Sequence, residues 1–346
     1  MDCEKSKIII LKSLAIFLAI IFFWQLINLF TPLESPATYS KDKIYNSILH
    51  RKNETNIQSL SKLSILIKQV EKEKNEIIIK EPIRINKQNL EIETMAPNGI
   101  VMDLKTEKIL WQKNSQEKKN IASLTKLVSA LVFLETNPDW EKKIKIIKED
   151  EIGGARLNVN FKEEIKIKDL FYAGLIGSKN NAILALVRST GLNKENFVKK
   201  MNEKIQKMGF KNTHFTNPTG LNSNNLSTAF EMAKIAKRAF ENQEIKKILV
   251  INNYNFYTFL GEKKIREIIV KNTNELLESE LKIKAGKTGF SNEANGCLVI
   301  QAENEKGNEI ISVLLGNKTK EINFKEMEIL VKWIFQNYEW TDGMQN

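Results

Sequence analysis

The run SLAIFLAIIFFWQLINLF, residues 13–30, carries no formal charge over 18 residues and divides the 346-residue chain before any other feature is read. A stretch of that length crosses a bilayer when its flanks help, and Lys5, Lys7 and Lys12 stand on its N-terminal side. The expectation is an uncleaved anchor with its N-terminus in the cytoplasm and all that follows outside. A removed signal peptide is the competing reading, because Ser35, Ala37 and Ser40 are small. The apolar core is long for a signal, however, and no clean small-x-small site follows it. The chain then parses as a short cytoplasmic N-terminus (1–12), a transmembrane helix (13–30), a partly helical stalk (31–93), a globular domain (94–338) and a tail (339–346).

Within the stalk, Ile57, Leu60, Leu63, Ile67 and Val70 recur at helical spacing, which suits either a free-standing stalk helix or one packed on the main domain or on a second copy. Pro82 and Pro97 bracket the approach to the globular part. There GIVMDLKTEKILWQKN (99–114) reads as a hairpin, and Leu124, Leu127, Val128, Leu131 and Leu134 mark a helix. A buried helical region follows, broken near Gly177, and then two amphipathic helices flank the loop KNTHFTNPTGLNSNN (211–225). The last third turns to strand in KIKAGKTGF, GCLVIQAE and EIISVLLGN before a final helix around residues 324–338. That order predicts an α+β fold, an antiparallel sheet flanked by helices, with a helical subdomain in front.

Charge narrows the partners. Formal net charge is +11, yet 47 lysines against 6 arginines are spread along the whole chain. Nucleic-acid readers concentrate arginine and aromatic residues in a patch, so no nucleic-acid partner is expected; an anionic wall or membrane surface accounts for the charge. Two cysteines, Cys3 and Cys297, exclude a disulfide framework, and with only His50 and His214 beside them no Cys/His metal site is expected.

The chemistry starts in IASLTKLVSALV (121–132), where Ser123 and Lys126 stand three apart at the head of an apolar run. On one helical face, near free backbone N–H groups, a lysine that is partly desolvated or close to another cation loses its proton more easily and takes the hydroxyl proton of its neighbour. Ser-x-x-Lys alone is weak, because it occurs five times in this lysine-rich chain, and helix capping explains most such pairs. Two later triplets select this pair. Ser178-Lys179-Asn180 puts a hydroxyl and an amide into a break between apolar helices, where an idle polar group is costly. Lys287-Thr288-Gly289 puts a cation and a hydroxyl on a strand, with a glycine that lets a ligand approach the backbone. The serines lie 55 residues apart and Lys287 follows Ser178 by 109.

In that order the three motifs form the set of penicillin-binding proteins and class A β-lactamases. From about residue 94 to 332 the chain resembles the serine D-alanyl-D-alanine carboxypeptidases, the low-molecular-weight penicillin-binding proteins. The likeness extends through DLFYAGLIGSKNNAILAL, FVKKMNEKIQKMGFKNTHFTNPTGL, LSTAFEMAKIA, NTNELL and KAGKTGFSNEANGCLV. The resemblance implies a β-lactamase/transpeptidase-like fold in a bacterial cell-membrane protein whose catalytic domain is extracytoplasmic. It implies Ser123 as nucleophile, Lys126 as its base and Ser178, together with Lys126, as proton relay to the departing D-alanine. Asn180 would hold the substrate amide, Lys287 and Thr288 the terminal carboxylate, and the amides of Ser123 and of Phe290, just past Gly289, the oxyanion. Peptidoglycan stem peptides are the implied substrate, β-lactams the implied inhibitors, and no cofactor is required.

Two departures stand out: Lys179 replaces a common glycine and would narrow or charge the cleft, and a common arginine is missing, leaving Lys318 or Lys320 to stand in without its bidentate fork. Sixteen residues follow Leu330, too few for the family's extra C-terminal domain, so the N-terminal helix is expected to replace a C-terminal anchor. Rival readings are weaker. A β-lactamase needs a glutamate that the loop NTHFTNPTGLN lacks, and a Ser-His-Asp hydrolase finds no G-x-S-x-G, leaving His214 as a packing or capping residue. A D,D-endopeptidase uses the same residues, and a catalytically weak wall-binding homologue is the remaining alternative.

Overall fold

In the computed structural model, residues 80–86, 92–221 and 224–341 are described. The chain divides into units Met1–Ile77 and Ile78–Asn346. The first unit, with the expected anchor at 13–30 and the amphipathic pattern at 57–70, lies outside the described residues. Among the described residues no helix is long and apolar enough to cross a membrane.

The expected hairpin forms β1 (Asn98–Asp103) and β2 (Ile109–Lys113). The apolar run after Ser123 becomes α1 (Lys126–Leu134). Two short strands, β3 (Lys143–Lys145) and β4 (Glu164–Lys166), precede the buried pair α2 (Ile167–Ile176) and α3 (Asn180–Ser189). The two amphipathic helices are α4 (Lys194–Lys207) and α5 (Ala229–Glu241), started by the side chains of Asn193 and Thr228, which accept from the backbone of Asn196 and Glu231. After α6 (Gln243–Ile248) the chain makes β5 (Asn253–Leu260) and β6 (Lys263–Lys271), then β7 (Lys282–Ser291), β8 (Asn295–Glu303), β9 (Glu309–Asn317) and the closing α7 (Lys320–Asn337).

The main sheet is antiparallel with strand order β7-β8-β9-β1-β2. The inner strands β8 and β9 read as nearly unbroken apolar runs because both faces are covered. In β8, Cys297 and Val299 face one core while Leu298 and Ile300 face the other; in β9, Ile311, Val313 and Leu315 alternate with Ile310 and Leu314 in the same way. The first core continues into α1, α2, α3 and α5, and the second is closed by Phe324, Met327, Leu330, Val331 and Ile334 of α7. Each fully buried side chain of that size contributes on the order of 1.5–3 kcal/mol. The sheet therefore holds β7, an outer strand, rigidly against the helical layer, and the α+β expectation for this part of the chain is met.

Two features lie outside that expectation. Residues 83–84 pair antiparallel with 338–339, so the ends of the described unit are joined. A second sheet, β3-β4-β5-β6, also forms, in which Gly261 at φ +60 turns β5 into β6. Alternation is hard to see there because β6 is an edge strand exposed at most positions, and its lysines interrupt the apolar pattern.

The loop between α4 and α5 folds down onto the start of α1. Gly220 has φ +80, and a Cβ there would stand 1.9 Å from the Ala122 carbonyl oxygen. Gly209 shares the conformation, φ +81, but faces open space. Gly220→Ala is therefore expected to cost about 3 kcal/mol or more in urea unfolding, and Gly209→Ala about 1 kcal/mol. Equal losses would contradict the close approach.

Candidate active site

Ala122–Thr125 form one 3-10 turn that runs directly into α1. Three residues per turn eclipse Ser123 over Lys126, which brings Lys126 Nζ to 2.8 Å from Ser123 Oγ. Ala122 enters the turn at φ +45, a conformation a non-glycine residue holds only when its surroundings enforce it.

Lys126 is 0% exposed, and its amine is held by two further acceptors. Asn180 Oδ1 lies at 2.7 Å and the Thr219 carbonyl at 2.6 Å. Among the described residues no carboxylate pairs with it. Burial, and next the charge of Lys287, push its pKa well below the usual lysine value. An ammonium has three protons and no lone pair, whereas a neutral amine has two protons and one lone pair. With two N–H bonds directed to Asn180 and Thr219, the lone pair of the neutral amine points at Ser123.

Ser178 sits in the break between α2 and α3, and Asn180 opens α3. Ser178 is left-handed at φ +56. Asn180 Nδ2 donates to Gly153 O at 2.9 Å, and its backbone N–H donates to Ala155 O at 2.7 Å, so a loop over 153–155 orients the amide with its oxygen on Lys126. Asn181 secures the same loop through the backbone of Leu157 and the Glu151 carboxylate.

From β7, Lys287 Nζ donates to Ser178 Oγ and to Thr288 O, each at 3.0 Å. Burial, and then the nearby charge of Lys320, lower its pKa to about 7. Gly289 lets β7 close on the nucleophile, since a Cβ there would lie 3.0 Å from the Ser123 backbone nitrogen and from Ile121 O. Phe290, next in the strand, is half exposed at the rim, with Lys320 Nζ 5.2 Å from its ring centre.

The structure thus gathers Ser123, Lys126, Ser178, Asn180, Lys287, Thr288 and Gly289 at one place, with Phe290 at its edge. Ser178 is held by Lys287, not by Lys126 as the relay would have it. Of the two candidate stand-ins for arginine, Lys320 is the one whose charge reaches Lys287. Lys179 turns back over Gly177, where its Cε packs beside Val270 of β6. Burial lowers its pKa. His214 is exposed and pairs through its backbone with Leu226, so it neither packs nor caps. Among the described residues no group of three or more His, Cys, Asp or Glu side chains is placed to hold a metal.

Sequence reasoning missed the Thr219 carbonyl. Its loop is locked by Asn217, whose Oδ1 accepts from Thr219 N and Gly220 N, and by Asn225, whose Nδ2 donates to Thr125 Oγ1 and Asn217 O. Ser129 adds a 2.6 Å bond to Pro218 O. Two asparagines around Pro-Thr-Gly were the available signal.

The family model for D-alanyl-D-alanine carboxypeptidases, peptidase S11, matches residues 84–319. A Bacillus subtilis D-alanyl-D-alanine carboxypeptidase is 30% identical over 73% of this chain and 65% of its own length. A D-alanyl-D-alanine endopeptidase of Haemophilus influenzae is 34% identical over 65% of this chain and 76% of its own. The solved penicillin-binding protein D2 of Listeria monocytogenes, in its cefotaxime-bound form, superposes with a TM-score of 0.63 at 26% identity, covering 71% of this chain and all of that one. With its motifs assembled around one buried lysine and its fold shared with that penicillin-binding protein, the chain belongs to the D-alanyl-D-alanine carboxypeptidase family of serine peptidases.

Proposed function

We propose that the protein is a serine D,D-carboxypeptidase that hydrolyses the terminal D-Ala-D-Ala bond of peptidoglycan stem peptides. The observation that carries this reading is the buried Lys126 amine, held by two neutral acceptors with Ser123 Oγ 2.8 Å away. Ser123 Oγ attacks the carbonyl carbon of the penultimate D-alanine while its proton passes to Lys126. The oxyanion forms between the backbone N–H groups of Ser123 and Phe290, where each donor is worth roughly 2.7–4 kcal/mol. As the C–N bond breaks, the departing D-alanine nitrogen takes the Ser178 proton and the Lys126 ammonium replaces it, which returns Lys126 to the neutral amine, while Lys287 Nζ holds the Ser178 oxygen. Water then attacks the ester and gives a proton to Lys126, which passes it to Ser123 Oγ as the C–O bond breaks, freeing the shortened peptide and restoring the resting pair. Lys287 and Thr288 receive the terminal carboxylate, with Lys320 adding positive charge at the rim.

β-Lactams present a strained amide and a carboxylate to the same groups, and they acylate Ser123. The uncharged run 13–30 and its preceding lysines support a single-pass anchor, which would hold the catalytic unit on the extracytoplasmic side. A D,D-endopeptidase is the second reading, favoured by the 34% identity to the Haemophilus enzyme of that name. Incubation with a pentapeptide and with a cross-linked dimer separates the two, by free D-alanine or by monomer.

Labelling with a fluorescent penicillin is expected to stain the wild-type protein and not Ser123→Ala; label that persists in the variant refutes an acyl-enzyme at Ser123. The pH profile makes a further demand. Lys287 loses its charge as pH rises through about 7. The kcat/KM for a carboxylate-terminated peptide therefore falls on the alkaline side around that value. Lys320→Ala removes the neighbouring cation that lowers the Lys287 pKa, so this limb moves to higher pH. A limb that stays or moves down contradicts the coupling.

A further inference from the structure

Thr288 Oγ1 donates to Thr273 Oγ1 at 2.6 Å. Thr273 reaches the Ile176 carbonyl twice, through its backbone N–H at 3.1 Å and its hydroxyl at 3.4 Å. Ile176 is the last residue of α2, two before Ser178. One side chain therefore ties the strand that carries Lys287 and Thr288 to the turn that carries Ser178.

The residues flanking Thr273 are fixed. Asn272 Nδ2 donates to the carbonyls of Leu249 and Ile251 at 3.3 and 2.9 Å, and its Oδ1 accepts from Asn274 N at 2.9 Å. Asn274 Oδ1 accepts from Leu276 N at 3.3 Å. Its amide nitrogen lies 2.5 Å from where a Cβ of Gly286 would be, so the segment also presses on β7. Thr273 is held at the site by its neighbours, and its own hydroxyl bonds only within the site.

A hydroxyl has one proton to give. In the resting site Thr288 gives that proton to Thr273, whereas a substrate carboxylate is an acceptor only. When a carboxylate arrives, the Thr288 proton turns to it and the Thr288 oxygen needs a new donor. Thr273 supplies one by releasing its long bond to Ile176, whose carbonyl keeps the Thr273 backbone N–H. Both states leave the Thr288 and Thr273 hydroxyls and the Ile176 carbonyl paired, and only hydrogens move.

Resting on the carboxypeptidase reading, we infer that Thr273 is a positioning residue: it sets the Thr288 hydroxyl and thereby the preference for substrates that end in a free carboxylate. An amide terminus carries N–H groups that Thr288 can accept from without this rearrangement, so it draws no benefit from Thr273.

The test compares kcat and KM of the wild-type protein, Thr273→Val and Thr273→Ser on a peptide ending in D-Ala-D-Ala and on its C-terminal carboxamide. Thr273→Val is expected to raise KM for the acid peptide about tenfold or more, with kcat within about twofold and the carboxamide unchanged. Thr273→Ser, which keeps the hydroxyl, restores the acid preference. If the valine variant fails to fold, Thr273→Ala carries the same comparison. Unchanged kinetics on the acid, or equal losses on acid and amide, overturn the role of Thr273. A wild-type protein that cleaves neither peptide and takes no penicillin label overturns the proposed function itself.

Discussion

The Lys126 amine, buried among neutral acceptors, sets the terms for the structure around it. Holding an ammonium there costs several kcal/mol unless a carboxylate compensates, and a carboxylate would keep the proton in place. Asn180 Oδ1 and the Thr219 carbonyl satisfy the N–H groups without adding negative charge, so burial acts unopposed on the proton. Lys287, from the facing strand, adds like-charge repulsion. The family's Ser-x-x-Lys chemistry here depends on what was kept away from the lysine as much as on what was brought to it.

Meeting those terms requires three chain segments to converge on one nitrogen. The 3-10 turn at 122–125 delivers Ser123, the break at 178–180 delivers Asn180, and the loop over 217–220 delivers a bare carbonyl. Each segment contains a left-handed residue: Ala122, Ser178 and Gly220. Such conformations persist when neighbouring bonds overdetermine them. The bonds here come from asparagines and backbone carbonyls: Asn180 and Asn181 on the 151–157 loop, Asn217 and Asn225 on the loop above α1. The five-stranded sheet adds rigidity on the other side, pressing Gly289 against the Ser123 amide. Lys287 completes a second arm, in which its amine fixes the Ser178 hydroxyl from β7.

Much of this was legible in the residues. Spacing and order picked Ser123 and Lys126 out of five equal pairs, and the break near Gly177 placed Ser178 and Asn180 correctly. The strands β7, β8 and β9 and the helix after them also followed from local pattern. Backbone groups did not: neither the Thr219 carbonyl nor the Gly153 carbonyl has a residue type that announces it, because any residue carries a carbonyl. Long-range polar pairs were equally hidden. Thr273 lies in NTNELL, a stretch noted only for its likeness to the family, and its partner Thr288 is fifteen residues away on β7. Lys179 is a separate case: its aliphatic stem lies over Gly177 near Val270, a placement that the motif does not announce.

Because the account turns on the protonation of one amine, the most direct measurement is a pH titration of lysine side-chain nitrogens by NMR. The full chain would be labelled with 15N-lysine, and the Lys126 signal assigned by its loss in Lys126→Met. The account predicts that Lys126 gives up its proton at a distinctly lower pH than the exposed lysines. It also predicts that Asn180→Asp, which puts a carboxylate against the amine, moves that titration back up. A Lys126 signal that titrates together with the surface lysines, or one that Asn180→Asp leaves in place, would contradict it.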